Sequence, residues 1–144
     1  MATIYQYEKH IDSITTVYIK LPEDIVCNEL AVIDGITYVS VPDNVELPEQ
    51  PKEISVSVAE ITEDLKLKLR KESAHLQLID KQFTEKLRKK YSIDDELYFA
   101  RIAIGFLMGK YVFEDDEMGL LSEYQIFVED LRQWARDERT KLGL

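Results

Sequence analysis

The chain is poor in residues that cross-link, break or ligate. Its 144 residues include one cysteine, five glycines, four prolines and two histidines. A lone Cys27 cannot close an intramolecular disulfide, which fits a reducing compartment. So few Gly and Pro beside 45% hydrophobic residues exclude collagen-like, low-complexity and disordered chains. Basic residues are also scarce: 18 against 28 acidic, a net charge of −10. Phosphate backbones and anionic lipid surfaces repel such a chain, so neither nucleic acid nor membrane is an expected partner. No apolar run approaches the ~20 residues of a membrane span. The greasiest stretch, Leu97–Met108, contains Arg101, and extending it to Phe113 adds Lys110. It reads as a buried or interface helix of a soluble cytoplasmic protein. The opening Met1-Ala-Thr-Ile-Tyr5 has neither basic leader nor apolar core, so no secretory signal is expected.

What is present divides in two. Residues 1–60 carry 3 basic and 11 acidic side chains, whereas residues 61–144 carry 15 and 17. The hydrophobic period changes at the same place, predicting an α+β protein with a small antiparallel β module (1–59) followed by a three-helix module (60–144). In the first, Ile14–Lys20 is β-branched and aromatic, and Thr3–Tyr7 suits a further strand. Glu29–Ile33 and Ile36–Val41 flank Asp34-Gly35, a pair that supplies the positive φ angles of a two-residue hairpin. Both faces of the second arm carry apolar residues, so one must meet a sheet, a helix or another subunit. Three prolines make 42–51 a loop, and Glu53–Val58 alternates as a last strand.

In the second module, Ile61, Leu65, Leu69, Leu76, Ile79, Phe83 and Leu87 recur at helical spacing. They predict a helix over about 60–90 with a possible break at Ser73. Ser92, with Asp95 three residues on, has the pattern of a capping box for a helix ending near Gly109. A third helix follows the acids Glu114–Glu117, with Leu120, Tyr124, Phe127, Leu131 and Trp134 on one face. It frays past Lys141.

Catalytic signals are missing. His10 and His75 lie in different modules and, with one cysteine, make no zinc pattern. Acidic neighbours disfavour a Cys27 thiolate, which makes a small buried core residue the better reading. The acid runs Asp94–Glu96 and Glu114–Glu117 lack the glycine and alternation of a calcium loop and suit helix starts. No glycine-rich phosphate loop occurs. No catalytic residue, metal or cofactor is therefore assigned.

Two features remain. Leu65–Lys90 holds nine basic residues against Glu72, Asp80 and Glu85. It could be a solvated face, a nucleic-acid stripe or the complement of an acidic surface. Phe99–Phe113 is more apolar than three helices of this size need, which points to a partner groove or an oligomer interface alongside core packing. Phe106, Tyr111 and Phe113 are the expected anchors.

The layout, with its Ile33-Asp-Gly-Ile-Thr-Tyr-Val-Ser-Val-Pro42 hairpin and closing Glu123-Tyr-Gln-Ile-Phe-Val-Glu-Asp-Leu-Arg-Gln-Trp134, resembles tail-fibre assembly chaperones and fibre-associated accessory proteins of tailed phages. The resemblance covers most of the chain but not Leu97–Phe113. It implies a non-enzymatic protein that docks a tail or fibre subunit, in the host cytoplasm during assembly or as a virion component. Tyr124, Phe127, Leu131 and Trp134 would match that family's C-terminal helix as partner-binding residues. Self-association through the same apolar surface is a further expectation. The rival reading is an acidic phage-encoded inhibitor that occupies a host protein's nucleic-acid-binding surface, an association that salt would weaken.

Overall fold

A computed structural model describes residues 1–144 as a four-stranded antiparallel sheet with four helices, an α+β protein. The strands are β1 (Ala2–Tyr7), β2 (Asn28–Ile33), β3 (Ile36–Pro42) and β4 (Ser57–Val58), in spatial order β2-β3-β1-β4. The helices are α1 (Glu63–Glu72), α2 (Ala74–Lys90), α3 (Ile93–Leu107) and α4 (Glu117–Lys141). Two compact units emerge, residues 1–79 with 137–144 and residues 80–136. Their boundaries fall within α2 and α4, whereas the change of hydrophobic period lies at residue 60.

In the first unit, Asp34 (φ 52°) and Gly35 (φ 80°) make the hairpin turn between β2 and β3. Both positive angles suit a type I′ turn, whose twist matches the strands. Tyr7, Val39 and Val41 share one sheet face and bury against Ile19 and Ile54. On the opposite face, Ser40 Oγ donates to the Leu142 carbonyl at 2.9 Å, so the chain's last residues lie against it. α1 packs beside β2 and buries Leu69 completely.

Two expected strands are shorter or absent. Ile14–Lys20 forms no strand, only an isolated bridge between His10 and Thr16. The Asp12 carboxylate accepts from the Ile14 and Thr15 amides at 2.8 Å each, folding a tight turn that ends any ladder. Val17 and Ile19 still point into the core, so alternation survived without strand pairing. Glu53–Val58 pairs only at Ser57 and Val58, because the Ile54 amide turns back to the Pro51 carbonyl. Ile54 then fills the core as an irregular residue.

The expected long helix is interrupted at Ser73, whose extended backbone (ψ 123°) ends α1 while its amide still reaches the Leu69 carbonyl at 2.8 Å. Four helices therefore stand where three were expected. α3 starts at the Ser92–Asp95 capping box. α4 buries Glu117, Leu121, Leu131 and Ala135, so Leu121, and not Leu120, begins its inner face. No helix is long and apolar enough to cross a membrane.

Candidate functional site

The second unit holds the arrangement of most interest, at the connection between α3 and α4. Gly105 sits where the returning chain crosses α3. Its carbonyl accepts from the Lys110 and Tyr111 amides at 2.8 and 3.1 Å. A Cβ on Gly105 would lie 2.8 Å from Tyr111 Cβ, so only glycine permits this approach.

The close crossing delivers Tyr111 to Glu117, the first residue of α4. Glu117 Oε1 accepts the Tyr111 hydroxyl at 2.5 Å and the Glu114 amide at 2.7 Å, while Oε2 accepts the Tyr98 hydroxyl. The carboxylate is buried yet has three donors, the condition under which a buried charge is tolerated. The Tyr111 hydroxyl, then Tyr98 and the Glu114 amide, hold Glu117 below its ordinary pKa. The same bond, with burial, pushes Tyr111 up to about 12, and Tyr98 is raised for the same reasons. Near neutral pH the carboxylate stays ionised and both phenols stay protonated. Such a cluster exchanges no proton readily; it braces the loop. Helix-start acid was the sequence reading of Glu117, and nothing in the spacing of Tyr98 and Tyr111 announced that they would converge on it.

The braced loop presents Phe113, which stacks on Phe106 with centroids 4.6 Å apart and planes at 27°. Beside the pair lies an apolar groove of about 250 Å³, lined by Phe106, Leu107, Phe113, Met118 and Leu121, with Ser122 and Gln125 as its polar groups. Phe106, Leu107 and Met118 are exposed. Of the residues expected to bind a partner, Phe106 on α3 and Phe113 on the loop thus meet in one groove, and Tyr111 ties that loop to Glu117.

The other four are engaged elsewhere. Tyr124 stacks on Phe99 at 4.8 Å, and its hydroxyl donates to Glu96 Oε1 at 2.8 Å. Burial first, and then that bond, push its pKa up to about 12. Phe127 meets the Tyr91 ring edge-on at 5.6 Å and lies under the Lys90 ammonium at 4.8 Å. Lys86 sits 3.6 Å above the Trp134 ring, and Leu131 is buried. The periodicity that marked these four as one face is spent on internal packing, which removes Leu131 from any surface available to a partner.

Five of the nine cations in the basic stretch pair with carboxylates of the same chain. Lys66 meets Glu63, Lys68 meets Asp64, and Lys81 meets Glu85. Arg88 reaches Glu96 at 2.5 Å and Lys90 reaches Glu123 at 3.2 Å. The complementary acids of these pairs lie on the same helices or on neighbouring ones.

Elsewhere the chemistry is sparse. A hollow of about 510 Å³ in the first unit includes Glu8, His10, Glu53, Ser55 and Ser57. His10 Nδ1 contacts the Thr16 hydroxyl at 3.2 Å. Cys27 is exposed, not the buried core residue its composition suggested. Partial desolvation and the Glu29 carboxylate push its thiol pKa up, away from the reactive thiolate. No three His, Cys, Asp or Glu side chains gather as a metal site. Comparison with protein-family models, with curated proteins and with solved structures finds no match to this chain, so its function is read from its own geometry.

Proposed function

We propose that the chain is a non-enzymatic protein-binding protein whose partner docks in the groove of Phe106, Leu107, Phe113 and Met118. The carrying observation is an apolar groove open to solvent between α3 and α4, beside a loop that Tyr111 and Glu114 tie to Glu117. Exposed aromatic and Met side chains around a concave apolar surface are the usual anchors of protein interfaces, and rigidity lowers the entropy lost on docking. The resemblance to phage tail-fibre chaperones and accessory proteins supplies the partner class: a tail or fibre subunit with an apolar side chain to seat there.

The test is co-expression of the chain with tail and fibre subunits, followed by size exclusion at low and moderate salt. A complex that survives both salts is expected. Replacing Phe106 and Phe113 together by Ser should abolish it while leaving circular dichroism unchanged. If the double variant unfolds, the two rings are core and the docking surface is elsewhere. A complex that dissolves as salt rises would favour the acidic-inhibitor reading, in which charge carries the binding.

A further inference from the structure

α3 carries a second apolar face, separate from the one it buries. Ile93, Leu97, Ala100 and Ile104 follow one another at steps of four, three and four. That alternation is the seam of a two-stranded coiled coil. Inside the unit α3 buries Phe99 and Ile102, which point to another side of the helix. The seam is open: Ile93 is 61% exposed, Leu97 47% and Ile104 57%. Ala100 is exposed between them.

Asp94 and Arg101 flank this seam on one edge, seven residues apart and therefore at equivalent positions. Ion pairs of this unit include Lys81 with Glu85, Arg88 with Glu96, Lys90 with Glu123, and Glu129 with Arg132 and Arg136. Asp94 and Arg101 take part in none of them. An exposed acid and an exposed base of opposite sign at matching positions make the edge complementary to itself.

We propose that α3 pairs with α3 of a second copy of this chain, antiparallel about a two-fold axis. In the register that sets Leu97 against Ala100 and Ile93 against Ile104, Asp94 of each copy lies within about 3 Å along the axis of Arg101 in the other. The two-fold repeats that pair, as an isologous interface requires. A parallel pairing would instead set Arg101 against Glu96. Both Glu96 oxygens are already taken, Oε1 by Tyr124 and Oε2 by Arg88. Only the antiparallel arrangement uses charges that the monomer leaves free.

This proposal does not rest on the docking groove, and the two are tested by different residues. Light scattering after size exclusion of the full chain should give twice the 16.8 kDa chain mass. Ile104→Glu and Leu97→Glu, each at an exposed helical position, should give the single mass with circular dichroism unchanged. They should leave capture of a tail or fibre subunit intact, just as the Phe106/Phe113 double variant should leave the dimer intact. Asp94→Arg and Arg101→Asp should each weaken the dimer about tenfold, and the double exchange should restore it. A single chain mass at every concentration overturns the proposal, as does a dimer that survives both Glu variants. If the double exchange restores nothing, the antiparallel register is wrong.

Discussion

Glu117 shows how much a single side chain organises. Three donors converge on one carboxylate, and the loop between α3 and α4 depends on them. Because its pKa is lowered in the folded state, its contribution to stability is complete above its ordinary value of 4.5 and is lost as pH falls below that value. Tyr111 has the opposite sign. Raised from 10.0 to about 12, it contributes fully below 10 and loses that contribution as pH climbs towards 12. Urea denaturation should show Glu117→Gln less stable than wild type near neutral pH, with the difference shrinking at about pH 3. A difference that stays constant would mean the carboxylate's charge is irrelevant. At the crossing point, Gly105→Ala should cost about 1–3 kcal/mol, because its new methyl meets Tyr111 Cβ and the loop must shift. An unchanged melting temperature would show that the loop gives way freely.

At the level of elements, local chemistry and tertiary demand agree in some places and part in others. The Ser92–Asp95 capping box satisfies donors at the start of α3 reciprocally, with bonds of 3.0 and 2.9 Å. Ser92→Ala should therefore cost about 1 kcal/mol in denaturant titration. β3 carries a less comfortable residue: Thr37 is completely buried and its hydroxyl has no partner. Thr37→Val keeps the shape and the β-branch while deleting that hydroxyl. It should raise stability by about 1 kcal/mol, and a loss would reveal a partner for the hydroxyl. Ile14–Lys20 is the contrary case. Its residues favour a strand, but the Asp12 side chain captures two amides and the segment turns before a ladder can form. Propensity lost to a local hydrogen bond that a residue count does not weigh.

For the molecule as a whole, charge matters more through its placement than through its sum. A net charge of −10 coexists with a basic stretch whose cations meet carboxylates of the same chain. Individually such pairs add little stability, but together they neutralise much of the positive charge that a phosphate backbone would need. The chain should therefore pass through a heparin column without retention even at low salt, and retention would reopen the nucleic-acid reading. The apolar surplus is likewise a matter of placement. Leu97–Phe113 supplies a core side at Phe99 and Ile102, a groove at Phe106 and Phe113, and, with Ile93, an open seam through Leu97 and Ile104.

Sequence by itself determined the elements that depend on neighbours along the chain. Asp34-Gly35 makes its turn because two adjacent residues tolerate positive φ, and Ser92–Asp95 caps α3 because three residues separate the reciprocal donors. The α+β class follows from the change in hydrophobic period, and the excess of apolar residues over 97–113 follows from counting. Tertiary structure alone decided which of those residues face inward. Leu131 and Tyr124 share the helical spacing of a docking face, yet one is buried and the other is stacked on Phe99. Tyr98, Tyr111 and Glu117 meet only because Gly105 lets the chain double back within contact distance. Periodicity specifies a face of a helix; what covers that face depends on segments distant in sequence, and their approach is a property of the folded chain.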